Sequence, residues 1–231
     1  MNRYMDGDYL KKNPTWDVED SPWKADNVVK MMRRNNIEPS SLAEVGCGAG
    51  EILNRLYEIM PPGCMFTGYE ISPQAIELCQ NRKNERLQFH LGDVLTEETP
   101  HFDVIMALDV MEHVEDYFGF LKRLHAKAEY KIFHIPLEMS LLAMVGINTI
   151  LNARDKVGHL HYFCKETALA TLSDNGYRII DWFYTSGPVN RPPRTISEKS
   201  RAADFIKTYF FTRYSDKWVR TLGGSMMVLA G

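Results

Sequence analysis

The chain of 231 residues lacks paired cysteine motifs and long apolar runs. Its four cysteines form no C-x-x-C pair and have no zinc-ribbon spacing, which argues against a disulfide framework or a structural metal site. The most apolar run, Leu141 to Leu151, is far shorter than the roughly 20 residues that cross a bilayer. Residues 1–12 contain no continuous apolar segment that would direct secretion. We therefore expect reduced thiols, a cytoplasmic location and no membrane span.

An excess of positive charge is also missing. The 27 Lys and Arg residues against 30 Asp and Glu residues give a formal net charge of -3, so no nucleic-acid partner is expected. Hydrophobic residues make up 45% and charged residues 25% of the chain, a balance typical of a globular protein. We expect a small-molecule partner, while the sequence leaves open whether the protein is a monomer or a homodimer.

Short apolar strands alternate with helical segments along most of the chain. This alternation predicts an α/β fold, a doubly wound, seven-stranded and mostly parallel sheet of the Rossmann-like type. Ligands bind such sheets at the carboxyl ends of the strands. The strands are predicted at 42–46, 65–71, 87–91, 102–108, 130–135, 177–184 and 225–230.

A glycine-rich turn joins the first predicted strand to the following helix, with the sequence Glu44-Val-Gly-Cys-Gly-Ala-Gly50. Gly46, Gly48 and Gly50 lack a Cβ, so the backbone can turn sharply and a ligand can lie against bare peptide groups. The helix N-terminus adds N–H donors that have no partner within the helix. A glycine trio alone is also compatible with close packing between strand and helix.

Three acidic residues at the ends of successive strands favour a ligand-binding role for this turn. Glu70 ends the second strand, where a carboxylate can accept hydrogen bonds from both hydroxyls of a ribose. Asp93 follows the third strand and could accept from an adenine amine, with Val94 packed against the ring. Asp109 ends the fourth strand beside the glycine turn.

These residues and their spacing resemble the class I S-adenosylmethionine-dependent methyltransferases, and especially the branch of quinone-biosynthesis and other small-molecule methyltransferases. The resemblance extends over about residues 40–185 and includes a later segment, His159-Leu-His-Tyr-Phe163. The other matching segments are Glu44–Gly50, Gly68-Tyr-Glu-Ile-Ser72, Gly92-Asp-Val94, Phe102-Asp-Val-Ile105 and Leu108-Asp-Val-Met-Glu-His-Val114.

The resemblance implies transfer of a methyl group from S-adenosyl-L-methionine to an O, N or C atom of a small-molecule acceptor, leaving S-adenosyl-L-homocysteine. It places Gly46 and Gly48 at the methionine portion, Glu70 at the ribose, Asp93 at the adenine and Leu108 near the sulfonium. It also implies an antiparallel seventh strand. The full set of predicted cofactor-binding residues is Glu44, Gly46, Cys47, Gly48, Gly50, Glu70, Ile71, Asp93, Val94, Leu108 and Asp109.

The domain organisation follows from the same interpretation. Residues 1–36 are interpreted as an arm and helix that cover the cofactor site, and residues 37–231 as the methyltransferase domain. Within the arm, aromatic residues without a helical period lead us to expect that residues 9–24 close over bound cofactor. Two segments too long for tight loops, 137–158 and 186–222, are predicted to form a helical cap at the acceptor pocket.

An oxygen or nitrogen acceptor must lose a proton, and histidines are the candidate bases. His113 is the first candidate and His161 the second, although His113 could instead cap or orient the loop. His159 and His161 would share one face of a strand, but without an obvious third ligand motif no metal site is expected. The Cys47 side chain is expected to be buried rather than nucleophilic.

Two other functions remain possible at this level. A non-catalytic S-adenosylmethionine-binding protein would need the same turn and acids but no base. A nicotinamide-dependent oxidoreductase is less compatible, because its G-x-G-x-x-G fingerprint differs from the G-x-G-x-G spacing found between Gly46 and Gly50.

Overall fold

The computed structural model describes residues 10–231 apart from positions 12, 14, 17, 97, 147 and 186–197. Its centre is one seven-stranded sheet with the strand order β3-β2-β1-β4-β5-β7-β6. β7 runs antiparallel to its neighbours β5 and β6, whereas the pairs among β1 to β5 are parallel. The strands are β1 (Ser41–Val45), β2 (Met65–Glu70), β3 (Leu87–Leu91), β4 (Phe102–Leu108), β5 (Ala128–Leu137), β6 (Ile179–Thr185) and β7 (Gly224–Ala230). The predicted α/β class and the mostly parallel, doubly wound sheet are confirmed.

Helices cover the sheet, and local sequence explains where several of them begin. Pro22 and Pro73 stand in first turns, where the missing N–H removes a donor that would have no helical partner. The Ser72 and Asp116 side chains accept from the backbone N–H groups of Ala75 and Gly119. The helices are α1 (Ser21–Arg34), α2 (Glu51–Ile59), α3 (Pro73–Cys79), α4 (Tyr117–His125), α5 (Leu141–Gly146), α6 (Asn148–Lys156), α7 (Lys165–Asp174) and α8 (Glu198–Leu222).

The core has two parts, and β4 contributes to both. Val104, Met106 and Leu108 belong to the cluster that includes residues of α1 and α2, whereas Ile105 and Ala107 belong to the cluster that includes residues of α4 and α7. Successive side chains of a strand point to opposite faces. β4 is therefore buried on both faces from Val104 onward, which is why residues 104–108 form a continuous apolar run rather than an alternating one.

Strand β5 differs from its predicted end. The sequence predicted that it ends at residue 135, but the strand continues to Leu137, because β7 pairs with it antiparallel as far as the Leu137–Gly224 position. The two additional residues are part of the strand because they pair with β7. The local sequence contains no sign of it.

Both predicted insertions contain helices among the residues that the structure describes. Segment 137–158 contains α5 and α6, while α8 occupies the later part of segment 186–222, with a break in helical geometry at Tyr214. Residues 186–197 lie outside the described residues, as do Tyr4 and Tyr9 of the arm. Within the described part of the chain, no helix has the length and apolar character needed to span a bilayer.

Candidate functional site at the carboxyl edge of the sheet

The glycine turn lies between the ends of β1 and β2. The backbone N–H groups of Gly46 and Cys47 donate to the Tyr69 carbonyl oxygen at 2.8 and 3.1 Å, which fixes the turn to β2. Gly48 has φ of +54°, and a Cβ there would lie 2.5 Å from Trp16 Cδ1. Only glycine adopts this conformation at low cost and leaves room for the indole ring. Gly50 instead faces Phe89 in the core.

Glu70 connects the turn to the start of α3. Its two carboxylate oxygens accept from the Gly48 N–H and the Ser72 N–H, each at 2.9 Å. Burial raises the pKa of Glu70, and the backbone hydrogen bonds from Ser72, Gly48 and Ile71 oppose that rise. Each carboxylate oxygen has two lone pairs. The side chain can therefore hold the protein backbone and still accept from a ligand.

A cavity of about 700 Å³ opens at this edge, within the usual range for small-molecule sites. The ends of β1, β2, β3 and β4 all contribute to its wall, as the strand register requires. The predicted site residues that line it are Gly46, Glu70, Ile71, Asp93, Asp109 and His113. The predicted residues that do not line it are Glu44, Cys47, Gly48, Gly50, Val94, Leu108 and His161.

Several of these other residues are buried behind the cavity wall. Val94 and Leu108 belong to the two core clusters. Cys47 is also buried, and a hydrogen bond with Cys79 together with burial raises the pKa of its thiol well above the ordinary value. A thiol held protonated is a poor nucleophile. Cys47 therefore contributes its backbone to the turn, and its side chain packs in the core.

Glu44 is a buried acid on β1. Its side chain is 1% exposed, and its Oε2 atom has no hydrogen-bond partner. Burial raises its pKa to about 8, although the positive charge of Lys24 opposes that rise. The residue is therefore protonated near neutral pH and adds little negative charge to the site.

Asp109 is at the centre of an ion-pair network beside the cavity. It has the unusual φ of +56°, and its oxygens lie 2.5 Å from His134 Nδ1 and 2.7 Å from Lys24 Nζ. His134 Nε2 contacts Thr185 Oγ1 at 2.8 Å. Burial alone would raise the pKa of Asp109, but His134 and Lys24 outweigh it and hold that pKa well below the ordinary value.

The histidines occupy different surroundings. His113 lines the cavity, and its Nδ1 donates to the Gly158 carbonyl oxygen at 3.2 Å. His161 Nε2 donates to the Val114 carbonyl oxygen at 2.9 Å, and its ring packs on Tyr117. The expectation that His159 and His161 share a strand face is wrong, because residues 157–164 form no strand and the two rings contact different groups. His159 contacts Glu138 instead.

Sequence reasoning did not single out four residues that shape this site. Lys24 and His134 bind Asp109, and Glu112 lies with His113 and His159 in a compact group whose ligand atoms are all within 4.8 Å of one another. Glu138 holds His159. The adjacent Glu-His pair after β4 was a local signal for Glu112, but its partners come from distant parts of the chain. No local pattern identifies Lys24 or Glu138.

Comparison with known proteins identifies the central part of the chain. Residues 43–128 match the family model described as a methyltransferase domain. The ubiquinone biosynthesis O-methyltransferase of Coxiella burnetii (strain RSA 331 / Henzerling II) is 26% identical over 152 residues, which cover 60% of this chain and 63% of that protein. The mitochondrial ubiquinone biosynthesis O-methyltransferase of Schizosaccharomyces pombe is 30% identical over 103 residues, covering 42% of this chain and 36% of the relative.

A solved structure has the same fold. The magnesium protoporphyrin IX methyltransferase of Synechocystis PCC 6803 with bound SAH aligns at a TM-score of 0.60 and 17% identity, covering 90% of this chain and 82% of that protein. The resemblance predicted from the sequence, to class I S-adenosylmethionine-dependent methyltransferases, is confirmed. The chain spans less than two thirds of the length of the curated relatives it matches.

Proposed function

On the premise that the chain carries a class I S-adenosylmethionine-dependent methyltransferase domain, we propose that it moves the methyl group of that cofactor to an O, N or C atom of a small-molecule acceptor. One observation carries the proposal. The glycine turn and the acids Glu70, Asp93 and Asp109, which belong to four different strand ends, converge on one cavity of about 700 Å³. The product cofactor is S-adenosyl-L-homocysteine.

The residues around the cavity carry groups that can bind each part of the cofactor. The Glu70 carboxylate can accept from the ribose hydroxyls, and Asp93 from the adenine amine. Gly46 lines the cavity and leaves the backbone bare for the methionine portion, and we assign Gly48 to the same part of the cofactor. Leu108, at the end of β4, lies behind the position assigned to the sulfonium. We also assign Glu44, Cys47, Gly50, Ile71, Val94 and Asp109 to the cofactor site.

The cofactor supplies a methyl carbon that is already activated, so the protein has to align the acceptor and exclude water. A hydroxyl or amine acceptor also loses a proton. His113 is favoured over His161 for this step, because it lines the cavity while the Nε2 atom of His161 is committed to the Val114 carbonyl oxygen. The relatives named O-methyltransferases favour an oxygen acceptor.

The proposal also assigns roles to the segments that surround the site. Residues 1–36 cover the cofactor, residues 37–231 form the methyltransferase domain, and segments 137–158 and 186–222 shape the acceptor pocket as a cap. Trp16 supports the covering role, since it lines the cavity and lies against Gly48. We further propose a cytoplasmic protein, monomeric or homodimeric, with no nucleic-acid partner.

Calorimetry and turnover test this function together. Titration with S-adenosyl-L-homocysteine is expected to give one saturable site, and titration with NAD is expected to give none. Labelled S-adenosylmethionine is then incubated with a panel of phenols, amines and carbon acids, and methylated product is sought. Binding without transfer to any acceptor would favour the non-catalytic alternative. Saturable binding of NAD alone would favour the oxidoreductase.

A further inference from the structure

The cavity at the carboxyl edge of the sheet has two walls that come from different parts of the chain. The turns after β1, β2 and β3 form one wall, which contains Gly46, Glu70 and Asp93. The other wall consists of the lining residues between positions 110 and 123 and between positions 154 and 160. We call this second wall the acceptor wall, because the proposed function assigns the first wall to the cofactor.

Backbone hydrogen bonds join the two parts of the acceptor wall. The Leu160 N–H and the His161 N–H both donate to the Glu112 carbonyl oxygen, at 2.7 and 3.2 Å. Glu112 lies in the short 3-10 helix Met111–His113, which precedes α4. Helix α6 ends shortly before these donors, at Lys156. The end of α6 is therefore held next to the segment that leads into α4.

Each of these two helices contributes one arginine to the acceptor wall. Arg123 lies on α4 and Arg154 lies on α6, and both side chains are exposed where they line the cavity. Arg154 belongs to the insertion 137–158, beyond the family match at residues 43–128. The pair thus combines a residue of the matched domain with a residue of the predicted cap.

These two arginines are available to a ligand. Among the residues that the structure describes, neither guanidinium forms an ion pair with a carboxylate, whereas Arg34 and Arg82 each bind one, at 2.9 and 2.7 Å. A guanidinium carries five N–H donors and remains charged at any physiological pH. Arg123 and Arg154 can therefore direct charged donors to a molecule in the cavity.

The charge of the acceptor wall favours an anion. Arg123 and Arg154 contribute two positive charges, and Glu115 contributes one negative charge. Apolar side chains, including Phe120 and Leu160, line the same wall. Apolar surroundings reduce the screening by water, so that a guanidinium beside them attracts an anion more strongly.

We propose that Arg123 and Arg154 bind an anionic group of the methyl acceptor, either a carboxylate or a phosphate. Paired N–H donors of a guanidinium match the oxygens of both groups. The anionic end of the acceptor would lie near α4 and α6, with its nucleophilic atom toward the cofactor wall. The assignment of the anion to the acceptor rests on the proposed function, whereas the binding of the anion does not.

Phenyl phosphate, benzoate and benzamide test the site, since they share one ring and differ in the group attached to it. Each is titrated into the full chain saturated with S-adenosyl-L-homocysteine, and binding is followed by ligand-observed NMR. We expect at least one of the two anions to bind saturably, roughly tenfold or more tightly than the neutral benzamide. The anion that binds more tightly distinguishes a phosphate from a carboxylate acceptor.

Variants of the two helices show where the anion binds. Arg123→Gln and Arg154→Gln should each weaken binding of the preferred anion about tenfold, because a charged hydrogen bond is lost. Lys122→Gln and Lys156→Gln are the matched controls, since each removes an exposed cation of the same helix from outside the cavity lining. The controls should bind the anion as the wild type does. All four variants should keep the wild-type affinity for S-adenosyl-L-homocysteine.

Two results would overturn the proposal. One is that neither anion binds saturably to the wild type, and the other is that the arginine variants bind the anion as tightly as the lysine controls. The same titrations without S-adenosyl-L-homocysteine separate the anion site from the proposed function. A chain that binds the anion through Arg123 and Arg154 but does not bind S-adenosyl-L-homocysteine would retain the site and reject that function.

Discussion

At the residue scale, one carboxylate combines structural hydrogen bonds with a position in the cavity wall. Glu70 holds the Gly48 and Ser72 N–H groups and also lines the cavity. Two backbone groups thus fix its rotamer before any ligand arrives. A fixed acceptor loses less conformational entropy when a ribose binds than a mobile one would.

Glu70→Gln is expected to weaken binding of S-adenosyl-L-homocysteine by about 1–3 kcal/mol, because hydrogen bonds to a charged acceptor are replaced by weaker ones. The amide keeps the size of the side chain but can accept from only one of the Gly48 and Ser72 N–H groups, so circular dichroism is used to check that the fold is retained. Calorimetry measures the affinity. Glu77→Gln, at an exposed acid on α3, is the matched control and should bind normally. Wild-type affinity in Glu70→Gln would contradict the ribose assignment.

Glu44 makes the free energy of unfolding depend on pH. The direction of this dependence is opposite to that caused by an acid in a salt bridge. Burial raises its pKa from 4.5 to about 8. Between these values the folded state holds a proton that the unfolded state has released. The free energy of unfolding therefore falls as pH rises through this window.

Glu44→Gln should remove this contribution. Between about pH 5 and about pH 8.5, the wild type is expected to lose more stability than the variant, by on the order of 2–4 kcal/mol. Urea denaturation at both pH values measures the difference. Glu85→Gln, at an exposed acid before β3, should leave the wild-type pH dependence intact. Parallel stability curves for the wild type and Glu44→Gln would show that Glu44 is not protonated in the folded protein.

At the scale of elements, helix α1 is attached to the cavity edge of the sheet by charge as well as by packing. Val28 and Met31 pack against the strands in the core. Lys24 reaches Asp109 at 2.7 Å, and Trp23 packs edge to face on His134. The helix therefore fixes the residues that follow β4 from outside the sheet.

Lys24→Met should lower the free energy of unfolding by about 1–3 kcal/mol, because the loss of the ammonium group leaves the Asp109 carboxylate with fewer charged partners. Urea denaturation at neutral pH measures the change. Arg33→Met serves as the control, since Arg33 is an exposed cation on the same helix, and its effect should stay within about 0.5 kcal/mol. If the two variants are equally stable, the Lys24–Asp109 contact contributes nothing beyond an exposed charge.

At the scale of the whole molecule, the cavity lies between the sheet and the N-terminal arm. Trp16 approaches the glycine turn from the arm, so cofactor held at that turn would contact both. Opening of the arm would then have to break contacts with the ligand. The covering role proposed for residues 1–36 thus has a measurable consequence in proteolysis.

Saturating S-adenosyl-L-homocysteine is expected to slow tryptic cleavage after Lys11 roughly 10–100-fold, because ligand at about 100 times its Kd stabilises the closed form by about 2.7 kcal/mol. Cleavage products are followed by mass spectrometry. Lys83, in an exposed turn before β3, provides an internal control whose cleavage should not change. If the ligand slows cleavage equally after Lys11 and Lys83, or at neither position, the proposal that residues 1–36 cover the cofactor is contradicted.

Much of the candidate site was accessible from the sequence because its parts are local. The glycine turn and the acids Glu70, Asp93 and Asp109 each follow a strand that an apolar run identifies, and strand ends in a parallel sheet meet at one edge. The position of each glycine relative to the cavity depends on three-dimensional packing. Gly46 lines the cavity, whereas Gly50 faces Phe89 in the core, although the sequence gives the two glycines the same role.

The sequence by itself determined the order of strands and helices, the ligand-binding edge and the type of domain, since hydrophobic period and turn chemistry act over a few neighbouring residues. Tertiary structure decided the pairings that cross the chain. Asp109 meets Lys24 and His134, and Glu112 meets His159, only because α1, β5 and the segment before α7 converge on the end of β4. Such contacts depend on the position of whole elements, and no local pattern encodes them.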